Sequence, residues 1–204
     1  MMPVGVPQMP YKTPNEPTWQ WVDLWNCLYR ERILFIGEPI MDEMANQLIA
    51  VMLYLDSVNQ NKLMLYINSP GGDTAPAMAI HDTMKACKSK VGTVAFGQAA
   101  SMAGFLVASG ERGMRFSLPH TKIMLHQPSA ATRGQASDIQ NEWKELVRIR
   151  KIMYESLSKS TGKDVDTLKR DLDRDFYLDP IEAINYGLID EVVRPASKKD
   201  FKNI

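Results

Sequence analysis

Val91-Gly92-Thr93-Val94-Ala95-Phe96-Gly97-Gln98-Ala99-Ala100-Ser101-Met102-Ala103-Gly104 begins as an apolar run and ends in a crowd of small residues around one serine. The run predicts a strand over Val91 to Phe96, and the helical Phe105-Leu106-Val107-Ala108 follows the serine. Small side chains let the backbone turn sharply and present the Ser101 hydroxyl. The same order occurs upstream. Leu63-Met64-Leu65-Tyr66-Ile67 reads as a buried strand that stops at Asn68-Ser69-Pro70-Gly71-Gly72, and a helix then runs toward Ala86. There the proline removes a donor and the paired glycines permit unusual backbone angles. Gly72 and Ser101 therefore both stand just after strands, where parallel α/β sheets gather functional groups.

Around this centre the remaining elements follow from spacing and punctuation. Pro3, Pro7, Pro10, Pro14 and Pro17 predict an extended arm or loop, since they suit neither a stable helix nor a central strand. From Trp21, the residues Val22, Trp25, Leu28 and Tyr29 recur at helical spacing, and Ile33-Leu34-Phe35-Ile36 is a short strand ended by Gly37 and Pro39. Met44, Leu48, Met52 and Leu55 mark an amphipathic helix. Two short segments, Met114 to Leu118 and Lys122 to Leu125, bracket Pro119 and lead to His126.

Ile139, Trp143, Leu146, Ile149, Met153 and Leu157 form the stripe of the longest helix, with Gly162 placed as its C-terminal cap. Periodicity alone allows two readings of that helix: it covers its own core throughout, or one end projects into a partner. Asp179-Pro180-Ile181-Glu182 carries an N-cap, a first-turn proline and a capping-box acid, Gly187 stops that helix, and Leu188 to Val193 reads as a last strand. The lysine-rich tail after Arg194 reads as solvated.

With 204 residues, 45% hydrophobic and 24% charged, the chain fits one globular domain. Lys+Arg and Asp+Glu both number 24, so no global charge draws it to nucleic acid or an anionic membrane. Cys27 and Cys87 offer neither metal-ligand spacing nor a disulfide framework, which predicts a reducing compartment. No apolar run approaches the roughly 18 residues that cross a bilayer.

Ser101, His126 and an acidic cluster of Asp171, Asp173 and Asp175 supply the residue types of a serine-hydrolase relay. A hydroxyl becomes a strong nucleophile when an imidazole accepts its proton and a carboxylate, here expected to be buried, fixes that imidazole. An oxyanion also needs fixed donors, which the backbone N–H groups of Gly72 and Met102 are placed to give. Each piece has a plainer reading: Ser101 as a helix N-cap, His126 as a core histidine bonded to backbone, the aspartates as a solvated turn. His81 and His120 read as packing or surface residues. Gly71-Gly72 lacks the glycine spacing and lysine of a P-loop, and no metal-ligand cluster is evident.

The strings Tyr66-Ile67-Asn68-Ser69-Pro70-Gly71-Gly72, Gly97-Gln98-Ala99-Ala100-Ser101-Met102, Ile123-Met124-Leu125-His126-Gln127-Pro128 and Asp173-Arg174-Asp175-Phe176 closely resemble the proteolytic subunit of the Clp protease family. The resemblance runs from about Trp21 to Val193, and the opening Met-Pro-Val-Gly-Val-Pro is similar to cyanobacterial and plastid members. It implies Ser101 as nucleophile, His126 as general base, Asp175 as orienting acid, and Gly72 and Met102 as oxyanion-hole positions. It implies a crotonase-like α/β fold of repeated ββα units with a long projecting handle helix over about 134–161. An N-terminal axial arm would occupy 1–18, the peptidase domain 19–194 and a polar tail 195–204.

Further implications are two stacked seven-membered rings of this or related subunits, with Asp173 and Arg174 coupling ring contact to the triad. An AAA+ unfoldase would spend ATP to feed unfolded proteins and peptides inward. The chain itself would hold no cofactor or metal and bind neither nucleic acid nor membrane. The location would be a cytoplasm or a plastid stroma.

Asp73-Thr74-Ala75-Pro76-Ala77 departs from relatives with serine or valine first and glycine last, so Asp73 is expected to alter which peptide side chains are accepted beside the cleft. Met102-Ala103-Gly104 reverses the common Met-Gly-Ala order, and His81 stands where tyrosine is usual; small volume at 103 and 104 predicts that the turn survives. Two other functions compete: a noncatalytic ring subunit, which typically loses triad residues, and an acyl-CoA-processing enzyme of the wider crotonase fold, which needs no such triad.

Overall fold

The computed structural model describes residues 5–12 and 18–194. Pro3, Pro14, Pro17 and the tail over 195–204 lie outside the described residues. Pro7 and Pro10 belong to an arm that is extended and paired: β1 (Gln8–Tyr11) runs antiparallel to β2 (Gln20–Asp23). The helix expected from Trp21 starts later. Trp21 and Val22 lie in β2, and Asp23 caps α1 (Leu24–Arg30) by accepting the Asn26 N–H at 3.0 Å. The cap overrides the apolar spacing because an Asp side chain satisfies an otherwise orphaned helix donor.

A seven-stranded sheet forms the body. Along the chain come β3 (Ile33–Ile36), α2 (Asp42–Val58), β4 (Leu63–Ser69), α3 (Thr74–Ala86), β5 (Val91–Ala100), α4 (Met102–Ala108), β6 (Arg115–Ser117) and β7 (Lys122–Leu125). Then follow α5 (Ala136–Thr161), α6 (Val165–Asp171), β8 (Phe176–Leu178), α7 (Pro180–Tyr186) and β9 (Glu191–Val192). Strands β3, β4, β5, β6 and β9 are neighbours in that order and parallel, β7 joins the far half of β5, and β8 pairs antiparallel with β7.

In β4 the alternate residues Leu63, Leu65 and Ile67 are buried in the core that also holds Leu48 and Met52 of α2 and Phe105 and Leu106 of α4. The opposite face carries Phe35, Tyr66 and Phe96, with the Phe35 and Tyr66 rings stacked at 5.3 Å and Trp25 of α1 edge-on. Strand β5 runs four residues past the expected end at Phe96 because it bulges. Ile67 pairs with Ala95 but Ser69 pairs with Ala99, so β5 spends extra residues around Gly97, which adopts φ 63°. Asn68 fills the gap, its Oδ1 accepting the Gln98 N–H at 3.1 Å. The bulge re-aims the strand toward Ser101.

The 26-residue α5 is about 39 Å long at 1.5 Å per residue. Its buried residues, Met153, Tyr154 and Leu157, all lie in the C-terminal half, while Ile139 and Trp143 are 41% and 61% exposed. The helix is thus anchored at one end and projects at the other. Gly162 caps it in the left-handed conformation, φ 76°, and the Asp179–Glu182 capping box of α7 is complete. Neither α6 nor β8 was expected from the sequence.

Candidate active site

Sheet register brings the chemistry together. Ala100 of β5 pairs with Met124 of β7, and the Ser101 N–H donates to the Met124 carbonyl at 2.8 Å. Leu125 of β7 pairs with Phe176 of β8, so one step further His126 faces Asp175 across the same ladder. His126 Nε2 lies 2.8 Å from Ser101 Oγ, and His126 Nδ1 lies 3.2 Å from Asp175 Oδ1. In the neutral tautomer that fits both contacts, Nδ1–H donates to Asp175 and Nε2 accepts from the serine hydroxyl.

Ser101 adopts φ 55° and ψ −121° at the junction of β5 and α4. A non-glycine residue in that region is strained by about 1–3 kcal/mol and is held by its surroundings. As the residue preceding α4, Ser101 makes no capping hydrogen bond to the helix; its hydroxyl is bonded to His126 instead. The plain N-cap reading therefore fails, and so does a core histidine satisfied by backbone.

Packing under the serine leaves no room for side chains. A Cβ on Gly71, whose φ is 96°, would sit 2.7 Å from the Ala100 oxygen and 2.8 Å from Ser101 Cβ. A Cβ on Gly72 would lie 2.3 Å from the Ile40 oxygen, because Ile40 and Gly72 form a parallel bridge. That bridge uses the Gly71 carbonyl and the Asp73 N–H, so the Gly72 N–H stands outside it. Met102 opens α4, and its N–H is one of the helix's orphan donors. The turn keeps this shape with Ala103 and Gly104 in their reversed order. Gly104 closely abuts the neighbouring strand: its Cβ would meet the Met124 oxygen at 2.8 Å.

Of the three aspartates, only Asp175 reaches the imidazole. Asp171 accepts from the Tyr186 hydroxyl at 2.8 Å, and burial first, then this bond, pushes the Tyr186 phenol up from its ordinary value. Asp173 accepts from the Gln127 side-chain amide, and Arg174 is extended into solvent. Asp175 is 54% exposed, so the buried acid expected for the relay is a surface carboxylate in this chain. The reason is its place in the α6–β8 turn, on the rim of a groove of about 580 Å³ that His126, Pro128, Asp173 and Arg174 also line. A larger cavity of about 790 Å³ is lined by Trp25, Tyr29, Phe35 and Leu48 and not by the triad residues. His120 is exposed, whereas His81 is tucked between Ser156 and Asp82, 3.0 Å from each, and stacks near Phe105. No group of His, Cys, Asp and Glu among the described residues is arranged to hold a metal ion. No helix among them is long and apolar enough to cross a membrane.

A serine at positive φ, bonded to an imidazole that a carboxylate holds, is equipped for acyl transfer. The sequence profile of the family described as Clp protease matches residues 15–196. The chain belongs to the Clp protease family. It is 51% identical over 98% of its length to the ATP-dependent Clp protease proteolytic subunit-related protein 2, chloroplastic, of Arabidopsis thaliana, covering 72% of that protein. It is 50% identical to the ATP-dependent Clp protease proteolytic subunit of Chlorella vulgaris, over 94% of this chain and 96% of that one. It is 46% identical to the ATP-dependent Clp protease proteolytic subunit 2 of Prochlorococcus marinus (strain NATL2A), over 97% of this chain and all of that one. Clp relatives thus come from both plastid-bearing and cyanobacterial sources.

Proposed function

We propose that this Clp proteolytic subunit is a serine endopeptidase in which Ser101 is the nucleophile, His126 the general base and Asp175 the orienting acid. The single observation that carries the reading is the 2.8 Å contact between His126 Nε2 and the hydroxyl of a serine at positive φ. In the reaction, Ser101 Oγ attacks the scissile carbonyl as its proton passes to His126 Nε2. The N–H groups of Gly72 and Met102 receive the developing oxyanion. His126 then gives the proton to the leaving amine, and water, activated by the same imidazole, releases the acyl group. Asp175 stays ionised throughout and stabilises the imidazolium.

The family membership and the exposed half of α5 support assembly with copies of this or related Clp subunits. We extend this to two stacked seven-membered rings, with the arm over 1–18 at the axial entrance and Asp173 and Arg174 coupling ring contact to the triad. Larger substrates would enter unfolded, delivered by a Clp ATPase that consumes the ATP, with no cofactor on this chain. The chloroplastic and cyanobacterial relatives support a plastid stroma or a bacterial-type cytoplasm.

The Arabidopsis relative is named a subunit-related protein, and a second reading of this chain is a noncatalytic ring member. The bonded triad weighs against it. Ser101→Ala in the assembled complex separates the two: cleavage of a short fluorogenic peptide should fall by roughly 10⁴-fold or more with particle mass unchanged. Wild-type protein that assembles but is never labelled at Ser101 by a fluorophosphonate would favour the noncatalytic role.

A further inference from the structure

Between the loop carrying the base and the turn carrying the acid stands one side chain with no part in the proton relay. The Gln127 backbone N–H donates to the Leu172 carbonyl at 2.8 Å. Its side-chain Nε2 donates to both the Asp173 carbonyl and Asp173 Oδ1, each at 3.1 Å. On the other side, its Oε1 accepts from Arg150 Nη1 at 3.1 Å. Gln127 directly follows His126, and Asp173 precedes Asp175 by two residues. Arg150 lies on α5 just before the buried Met153, Tyr154 and Leu157, where the helix passes from its projecting half into its anchored half.

We infer that Gln127, oriented by Arg150, is a positioning residue that fixes the separation of His126 and Asp175. The inference rests on the triad proposed above.

The chemistry of the side chain is specific to this task. A primary amide presents donors at one end and an acceptor at the other, and here the donors face two Asp173 oxygens while the acceptor faces a guanidinium. Glutamate has the same shape but no donor, and would set a carboxylate against Asp173. Asp175 is half exposed, so burial does little to hold it, and this polar clamp supplies the missing restraint. A misplacement of about 1 Å at a reacting group costs on the order of 10²-fold in rate.

The test compares Gln127→Glu, Arg150→Met and the double variant in the assembled complex, with a short fluorogenic peptide. Each single change should lower kcat by about 10- to 100-fold and leave KM within about twofold, because it disturbs reacting groups rather than peptide binding. The double variant should lose no more than the worse single one, since both cut one chain of contacts. Arg150→Lys, which retains a donor, should recover part of the loss. Unchanged kcat in Gln127→Glu would overturn the inference, as would additive losses, or losses matched by dissociation of the particle. If Gln127→Glu does not assemble, Arg150→Met decides: full kcat in an intact particle overturns the clamp. Failure of the triad itself is seen separately, as cleavage that survives Ser101→Ala.

Discussion

Removing the carboxylate of Asp190 should cost the fold about 3–5 kcal/mol, the range for breaking one side of a buried ion pair. Arg115 is 4% exposed and lies in β6. Its Nε and Nη2 donate to Asp190 at 3.0 and 2.5 Å, while Nη1 donates to the Ser160 and Gly187 carbonyls at 3.0 and 2.8 Å. The same carboxylate accepts the backbone N–H groups of Gly113 and Arg115. One guanidinium thus joins β6 to the C-terminal ends of α5 and α7 and to the start of β9. In Asp190→Ala two nitrogens of the buried guanidinium lose their acceptor, whereas the two carbonyl bonds remain. At about 2–4 °C per kcal/mol for a domain of this size, the melting temperature should fall by on the order of 10 °C.

Burial by itself would raise the Asp190 carboxyl; the bonds from Arg115 and then Gly113 outweigh it and hold the group below its ordinary 3.8. A carboxyl depressed in the folded state contributes stability above its unfolded value and loses it as pH falls through the folded one. Asp190→Asn should therefore show a shallower loss of stability than wild type below about pH 4. Thermal melts at fixed subunit concentration, across a pH series, measure both effects. A variant melting within about 2 °C of wild type, with the same acid limb, would refute the reasoning.

Gly71→Ala places a Cβ 2.7 Å from the Ala100 oxygen at φ 96°, so the serine turn must shift; peptidase activity should drop on the order of 10²-fold or more, read by steady-state kinetics, while far-UV circular dichroism stays native. Trp143→Glu changes an exposed residue on the projecting half of α5, so the subunit should fold as before but sediment as a smaller assembly if that half pairs the rings. Asp73 lies exposed beside Gly72 and makes no capping bond to α3, so its charge faces solvent near the cleft. Asp73→Asn should lower the kcat/KM preference for a lysine-bearing over a glutamate-bearing peptide by roughly threefold to tenfold, an effect that about 0.5 M salt should largely erase in wild type.

The local grammar of this chain was plain in its residues. The apolar runs at 33–36, 63–67 and 122–125, the helical stripe of α2, the Gly162 cap and the Asp179 capping box each depend on neighbours a few positions apart, and periods of 2.0 and 3.6 encode them directly. The small residues around Ser101 announced a tight turn for the same reason, and four motifs in order pointed to the family that comparison then showed.

Other features depend on residues far apart in the chain. By residue type and spacing the three aspartates were equivalent, and only the resemblance to the family motif singled out Asp175; the three-residue β8 is too short to show a period. Only its antiparallel register on β7 sets Asp175, rather than Asp171 or Asp173, opposite His126. The bulge that carries β5 on to Ser101 exists because Asn68 of the next strand occupies the gap. Likewise, the stripe on α5 is continuous through both halves, and the core meets only the C-terminal one. A strand's register, a bulge's partner and a helix's neighbour are set by long-range packing, in which one residue of slip would turn every side chain to the opposite face.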